Sequence, residues 1–373
     1  MMAIETPALM LEEKKLRLNL QRMMDVAATG VQVRPHFKTH KSLYIAKLQM
    51  NLGACGITVA TASEAELLLE NGFRDILIAF PLTDHEKIRR LMRRIPAARV
   101  IFTVDSEEQA ALVERAAKQE KVTPEVWLKV NSGLNRCGTE PGKETLLLAK
   151  KLAAGGLLRL TGVYTHAGHS YAACSAAEIA QIAAAEADSV LLSARLIEEA
   201  GIPVPHRSVG STPTFELAAQ YKGITEVRPG NAVFFDGMQV GLGTAAWEEV
   251  ALTVLATIVS RKKDRLILDA GSKALTTEKG AHGNERMKGF GKLVTKEELY
   301  ITRVSEEHGV VAFNQQQPSP GVETGGTGLS LNDRVAIIPN HACPVVNLFD
   351  HYYFMKEDGG VDILPVDARG MSQ

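Results

Sequence analysis

The segment Arg34–Lys41 carries the strongest chemical signal in this chain, because its eight residues include two lysines, two histidines and one arginine. Neighbouring positive charges disfavour the protonated form of a lysine, so its amine is readier to attack an aldehyde or a carbonyl group. A solvated basic loop is the alternative, since runs of charge usually face water. The segment by itself does not distinguish Lys38 from Lys41 as the reactive amine.

Further polar or glycine residues follow short apolar runs along the chain. They are Thr61, Asp105, Asn131, Asn135, Arg136, Thr165, His166, His169, Tyr171, Ser211, Thr212, Gly230 and Asn231. Taken singly, such residues often only cap a loop. Their recurrence at the same place after successive apolar runs predicts that they share one edge of a sheet.

The elements that must position these residues alternate regularly. Eight short apolar or β-branched runs are predicted to be strands: Val31–Pro35, Ile57–Ala60, Asp75–Phe80, Arg99–Val104, Glu125–Val130, Leu160–Tyr164, His206–Val209 and Ile224–Arg228. Amphipathic segments between them are predicted to be helices: Leu43–Asn51, Ser63–Glu70, His85–Arg94, Glu107–Gln119, Lys143–Ala154, Ala176–Glu199 and Thr214–Tyr221. Two hydroxyl residues, Ser63 and Ser106, are expected to cap helix starts.

This alternation predicts an α/β fold. Strand and helix in turn imply right-handed crossovers and a parallel sheet, and eight strands favour a closed (β/α)8 TIM-like barrel over an open doubly wound sheet. Reactive groups of such barrels lie at the C-terminal ends of the strands, which is where the polar residues fall.

Two turns at that rim predict a phosphate site. Ser208–Thr214 offers hydroxyls and backbone amides ahead of a predicted helix, and helix N-termini favour anions. Arg228–Asn231 offers a second close approach of backbone. A reactive lysine opposite a phosphate cradle fits pyridoxal 5′-phosphate. A metal aldolase without this cofactor, or a Schiff-base aldolase acting on sugar phosphates, would use a similar rim.

The hydrophobic pattern of the sequence changes near Met238. Alternating apolar runs predict a C-terminal antiparallel β domain: Val250–Val259, Arg265–Asp269, Val335–Pro339 and Val361–Val366. The strand-like run Thr6–Leu11 is expected to join it before the helix Glu12–Ala27, and Gly321–Asn332 reads as a flexible loop. The expected domains are 12–237 for the barrel, and 1–11 with 238–373 for the β-rich part.

Composition limits the classes of function. The chain has 373 residues, and its formal charge of −1 (42 − 43) does not favour nucleic acid or an anionic membrane as a partner. The four cysteines, Cys55, Cys137, Cys174 and Cys343, lack CxxC spacing, which is typical of a reducing cytoplasm. We recognise neither an export segment nor a membrane anchor, so a cytoplasmic protein acting on a small molecule is expected.

Four motifs in order resemble one known family across nearly the whole chain. They are Arg34–Lys41, Thr165–Tyr171, Ser208–Thr214 and Pro339–Pro344. Together they resemble the fold type III pyridoxal-phosphate enzymes related to alanine racemase, and more narrowly the D-threonine aldolase and D-serine dehydratase group. The resemblance implies a homodimer that acts on a D-amino acid.

The resemblance also implies roles for individual residues. Lys38 would hold the cofactor as an imine, with Arg136 against the pyridine nitrogen, whereas Lys41 would belong to the helix that follows. The cofactor would also contact His166 and Tyr171, and its phosphate would lie at Ser211, Thr212, Gly230 and Asn231. One departure is Ala232, where relatives commonly have a tyrosine, and it predicts weaker cofactor retention.

A metal is implied by the same resemblance. His341 and Cys343 stand where the family places metal ligands, although an isolated His-x-Cys is weak evidence by itself. An imidazole with a thiolate favours zinc, whereas relatives with a carboxylate in place of the cysteine use manganese or magnesium.

These parts predict a lyase acting on D-β-hydroxy amino acids. The metal would bind the β-hydroxyl, which would lose its proton to His169, with Tyr171 beside it, or because the metal lowers its pKa. D-threonine-type substrates would then undergo retro-aldol cleavage to glycine and an aldehyde. With Lys38 removing the Cα proton, D-serine or D-3-hydroxyaspartate would instead lose water and give a 2-keto acid and ammonia. Cys343 favours the dehydratases, whereas Pro344–Asp350 and Val366–Gly370 look more like the aldolases, and on balance the sequence favours an aldolase.

Two further classes stay open. A racemase would need a second base opposite Lys38, for which the candidates are Tyr300, Tyr352 and Tyr353. A cofactor-binding protein without turnover would leave the pair His341 and Cys343 unexplained.

Overall fold

The structure, a computed structural model, describes residues 4–281, 287–296, 298–313 and 328–373. The chain forms two compact units. The barrel unit comprises Leu20–Ala232 and Gly370–Gln373, and the β unit comprises the residues through Asn19 and Val233–Arg369. The first division therefore falls inside a helix, and the last four residues return to the barrel unit.

Strands and helices alternate through the first part of the chain, and strands dominate the second. The strands are β1 (Ala8–Glu12), β2 (Gln32–Val33), β3 (Ile57–Val59), β4 (Asp75–Pro81), β5 (Arg99–Val104), β6 (Glu125–Lys129), β7 (Arg159–Tyr164), β8 (His206–Val209), β9 (Glu226–Val227), β10 (Leu252–Arg261), β11 (Arg265–Leu268), β12 (Lys292–Leu293), β13 (Arg303–Val304), β14 (Gly309–Ala312), β15 (Arg334–Ile338), β16 (His351–Met355) and β17 (Val361–Pro365). The helices are α1 (Glu13–Asp25), α2 (Leu43–Asn51), α3 (Ala62–Glu70), α4 (His85–Met92), α5 (Glu107–Glu120), α6 (Lys143–Gly155), α7 (Ala176–Glu199), α8 (Phe215–Ala218), α9 (Gly237–Gly241), α10 (Ser272–Leu275) and α11 (Ala342–Val346).

The barrel unit is a closed ring of parallel strands. Strands β2 to β9 form one sheet in the order β2-β9-β8-β7-β6-β5-β4-β3. A parallel bridge between His36 and Thr58 joins the two ends, and the Thr58 N–H donates to the Pro35 carbonyl at 2.8 Å. The predicted (β/α)8 barrel is confirmed.

Two local predictions in this unit are wrong. Helix α3 is capped by Thr61, whose Oγ1 accepts the Glu64 N–H at 3.2 Å, and not by Ser63. Helix α8 is a single turn, Phe215–Ala218, instead of Thr214–Tyr221. By contrast Ser106 caps α5 as predicted, accepting the Gln109 N–H at 3.3 Å.

Part of the barrel interior is ionic. Arg34 donates from Nε to Glu226 Oε2 at 2.8 Å and pairs through Nη1 with Asp75. Arg99 bridges from Asp75, at 3.0 Å, to Glu125. Gly56 is required beside this network, because a Cβ there would collide with Arg34 Nη1. Each of the two arginines thus contacts two carboxylates, which offsets the cost of burying charge in this network.

The β unit contains the predicted sheet, which is antiparallel except where β1 pairs with β16. Its main path is β13-β14-β11-β10-β1-β16-β17, and β15 pairs with both β10 and β12. Strand β1 lies antiparallel to β10 and parallel to β16, so the N-terminal strand joins this sheet as expected. Of the predicted loop Gly321–Asn332, residues 321–327 lie outside the described residues.

Candidate cofactor and metal sites

Lys38 lies in a 3₁₀ turn, Phe37–Thr39, that follows β2 at the rim. His36 caps this turn, since its Nδ1 accepts the Lys38 N–H at 3.4 Å. Burial, and then the charges of Lys38 and Arg228, hold the pKa of His36 well below its ordinary value. A neutral imidazole therefore stands beside the half-buried lysine.

Lys41 does not belong to the following helix, contrary to expectation. It precedes α2 in a left-handed conformation, with φ of +50°, and its Nζ lies 2.9 Å from Glu64 Oε1. Both side chains are buried. This ion pair commits Lys41 to a structural role and supports Lys38 as the reactive lysine.

The first predicted phosphate turn follows β8. Gly210 has a φ of +105°, a conformation that favours glycine. Helix α8 is too short to supply a helix dipole, so any anion here must be held by individual donors. Thr212 provides two, because its N–H makes no hydrogen bond among the described residues and its Oγ1 only accepts the Ala232 N–H, at 3.2 Å.

The second turn, Gly230–Asn231, lies against the lysine turn. A Cβ at Gly230 would stand 3.0 Å from Thr39 Oγ1 and 3.2 Å from His36 Cβ, so only glycine fits comfortably. Ala232 is buried and its N–H links the two turns through Thr212. That Ala232 weakens the retention of the cofactor by the protein stays a prediction, which a spectrophotometric titration of the apo-protein can test.

His169 and Arg136 belong to neighbouring loops after β7 and β6. The His169 ring covers Gly133, where a Cβ would be 3.2 Å from ring atoms. Burial lowers the pKa of His169, which suits a general base. Arg136 is exposed and makes no ion pair or hydrogen bond with the described residues, so its place against a pyridine nitrogen stays a prediction.

The remaining residues predicted near the cofactor flank His169. His166 is half-buried, and its charge is among those that lower the pKa of His36. Tyr171 is buried in the 3₁₀ turn Gly168–Ala172. The barrel unit therefore brings Lys38, His36 and His166 together at one rim.

Sequence reasoning missed two buried charged residues near the rim. Lys129, on β6, lies 5.6 Å from the centre of the Tyr164 ring, and burial lowers its pKa. Glu186, on α7, is fully buried and accepts three hydrogen bonds. The available signal was a charged residue within an otherwise apolar stripe: Glu186 lies on the face formed by Ala183, Ala187 and Val190.

His341 and Cys343 lie together in the β unit at the start of α11. The Ala342 N–H between them donates to Asp236 Oδ2 at 2.8 Å, which fixes the turn. His341 Nδ1 lies 2.7 Å from Glu278 Oε2. Although burial opposes its protonation, Cys343, Glu278 and Asp236 raise the pKa of His341 to about 10.

This donor set fits a metal with two protein ligands. Imidazole and thiolate are ligands that zinc prefers, and a carboxylate on the other ring nitrogen is a common way to orient a ligating histidine. No group of three or more His, Cys, Asp or Glu side chains in the described ranges is arranged to hold a metal. Open positions would therefore remain for water or substrate.

The barrel rim likewise fits pyridoxal phosphate. It combines a half-buried lysine, the free donors of Thr212 and a glycine turn that leaves room beside the lysine. A parallel barrel with such a rim, joined to a β domain, defines the alanine racemase-like class of fold type III enzymes.

Comparison with known families makes the assignment specific. The family described as alanine racemase, N-terminal domain, matches residues 11–237, and the putative serine dehydratase domain matches residues 251–355. The chain belongs to this family of fold type III pyridoxal-phosphate enzymes, as its motifs predicted.

Relatives match along nearly their whole length. D-threo-3-hydroxyaspartate dehydratase from Delftia sp. is 34% identical over 97% of each chain, and its solved structure superimposes with a TM-score of 0.89. D-threonine aldolase from Arthrobacter sp. is 30% identical over 99% of this chain and 94% of that protein. D-serine dehydratase from Dictyostelium discoideum is 30% identical over 96% of this chain and 95% of that protein.

Within the described ranges, the helices are all too short or too polar to cross a bilayer.

Proposed function

We propose that this protein is a lyase of D-β-hydroxy amino acids that depends on pyridoxal phosphate and a divalent metal, and that it acts as a dehydratase yielding a 2-keto acid and ammonia. The pairing of Cys343 with His341 carries this proposal. A solved structure of a D-threo-3-hydroxyaspartate dehydratase with a cysteine replaced by alanine is described as being in the metal-free form, which supports a link between a cysteine and metal binding in that relative. Zinc is the metal that this pair favours.

When bound, pyridoxal phosphate would supply an electron sink for charge developing at the substrate Cα, and the metal would act as a Lewis acid toward the β-hydroxyl. The chain supplies the proton transfers. Lys38 Nζ takes the Cα proton. His36 beside it is neutral, so it places no second positive charge next to the lysine. Thr212, whose N–H and hydroxyl hydrogen make no hydrogen bond among the described residues, would hold the phosphate end beside the Gly230 turn.

An aldolase is the second candidate, and the sequence cues at Pro344–Asp350 and Val366–Gly370 favour it. D-threonine aldolase from Filomicrobium marinum also superimposes with a TM-score of 0.89 at 27% identity. In that reaction His169, whose pKa is lowered by burial, would take the proton of the β-hydroxyl while the Cα–Cβ bond breaks. The two reactions therefore differ in which base acts first.

One incubation separates these candidates. Purified holoenzyme is mixed with D-serine, D-threo-3-hydroxyaspartate or D-threonine, with and without a chelator. Chelator-sensitive release of ammonia and a 2-keto acid supports the dehydratase, whereas glycine and an aldehyde support the aldolase. Chelator-resistant loss of optical activity would indicate a racemase, and no turnover of any D-β-hydroxy amino acid would overturn the proposal.

A further inference from the structure

A buried carboxylate ties together the two loops that follow β7 and β8. Glu186 Oε1 accepts the N–H groups of Gly210, at 2.8 Å, and Ala167, at 3.1 Å. Its Oε2 accepts the Thr214 hydroxyl at 2.8 Å. Burying an ionised carboxylate is costly unless such donors satisfy it. Burial raises the pKa of Glu186, whereas its three hydrogen bonds and the charge of Arg228 oppose this shift and favour the ionised form.

The ionised carboxylate sets the direction of a chain of hydroxyls. The single hydroxyl hydrogen of Thr214 is committed to Glu186, so Thr214 Oγ1 can only accept from Ser211 Oγ, 2.9 Å away. Ser211 Oγ must then accept from Ser170 Oγ, 2.8 Å away. The chain consequently runs from Ser170 through Ser211 and Thr214 to Glu186.

This direction changes which residue can bind a phosphate. The Ser211 N–H donates to Thr214 Oγ1 at 3.1 Å, and its hydroxyl hydrogen points to the same atom. Ser211 therefore has no hydrogen left to donate to an anion. Thr212 has both its N–H and its hydroxyl hydrogen available among the described residues.

We propose that Glu186 is a positioning residue for the cofactor phosphate. Its carboxylate directs both hydrogen-bond donors of Ser211 to Thr214 and leaves Thr212 as the side chain that binds the phosphate. The inference rests on the proposed function only in requiring pyridoxal phosphate at this rim.

The test is the dissociation constant of the apo-protein for pyridoxal phosphate, and for pyridoxal, which lacks the phosphate. Thr212→Val should raise the constant for pyridoxal phosphate about tenfold or more, as expected for a lost hydrogen bond to a charged group, and Thr212→Ser should restore it. Ser211→Ala should raise it less than about threefold, within the range of a neutral hydrogen bond. Neither Thr212→Val nor Ser211→Ala should change the dissociation constant for pyridoxal by a comparable factor.

Glu186→Gln provides the second half of the test. The glutamine carbonyl can still accept from Gly210 and Ala167, but its amide now donates to Thr214. Thr214 can then donate to Ser211, so the hydroxyl hydrogen of Ser211 is no longer committed to Thr214 and can reach an anion. In this background Ser211→Ala should weaken phosphate-dependent binding markedly. Glu178→Gln is the matched control, because Glu178 also lies on α7 and accepts a backbone N–H, from Cys174 at 2.6 Å.

Equal effects of Ser211→Ala and Thr212→Val in the wild-type background would overturn the inference, and so would an unchanged ratio of those effects in the Glu186→Gln background. Absence of pyridoxal-phosphate binding by the wild-type protein would overturn it as well. A wild-type protein that binds the cofactor without lyase activity would contradict only the proposed reaction.

Discussion

Arg34 and Glu226 form an ion pair inside the barrel, with Arg34 Nε donating to Glu226 Oε2 at 2.8 Å and side-chain exposures of only 1% and 0%. Their strands, β2 and β9, are neighbours in the ring although 192 positions separate the residues along the chain. Glu226 also accepts the Ser208 hydroxyl at 2.7 Å, so both of its oxygens are satisfied.

Replacing Glu226 with glutamine should destabilise the protein strongly, because it leaves the buried Arg34 without its full counter-charge. We expect a loss of about 3–5 kcal/mol in the free energy of unfolding, measured by urea denaturation. Glu66→Gln is the control, since the Glu66–Arg90 pair is partly exposed, and it should cost less than about 1 kcal/mol. Equal losses for the two variants would show that the interior network does not stabilise the fold.

Acid should unfold the protein partly through Glu125. Although burial opposes ionisation, Arg99 and Thr161 lower the pKa of Glu125 from 4.5 to about 2. Between these two pH values the unfolded chain binds a proton that the folded chain does not, so stability falls as the pH falls through this window. Glu125→Gln should flatten that part of the stability curve measured by denaturant titration, and an equally steep acid limb would contradict this assignment.

Lys38→Ala should abolish the absorbance of the imine between the protein and pyridoxal phosphate, because Lys38 is the amine predicted to bind the aldehyde. Lys41→Ala should keep that absorbance while lowering thermal stability, since it leaves Glu64 buried without its ion-pair partner. Absorbance spectra of the two purified variants decide the matter. The reverse pattern would make Lys41 the reactive lysine.

Cys343→Ala should lose bound metal together with lyase activity, because one of the two predicted protein ligands is removed. Cys343→Asp should instead shift metal preference from zinc toward manganese or magnesium, which favour oxygen ligands. Metal content after dialysis, measured by elemental analysis, tests both variants. A Cys343→Ala protein that retains full zinc would exclude this cysteine as a ligand.

The barrel could be predicted because its evidence is local. The strands β5 and β8 and the helices α2 and α7 begin and end at the predicted residues. The apolar periodicity that predicts each of them lies within its own sequence. The rim was predictable for the same reason, because the C-terminal ends of parallel strands meet at one edge.

The missed features depend on tertiary contacts. Thr61 and Ser63 carry similar hydroxyls, and only the path of the chain decides that Thr61 caps α3. Glu186 is one acidic residue among several in a long helix, and its role follows from Gly210 and Thr214, which lie more than twenty positions away. Nothing in the local pattern specifies such a pairing.

The ionic interior also limits how this barrel can be recombined with its relatives. Arg34 and Asp75 come from the first half of the ring, whereas Glu226 comes from its last strand. A chimera joined between these strands would combine halves whose buried charges were never matched to one another. Exchange of whole barrels should therefore succeed more often than exchange of half-barrels, and laboratory evolution of a new substrate range is better directed at the rim loops than at the strands beneath them.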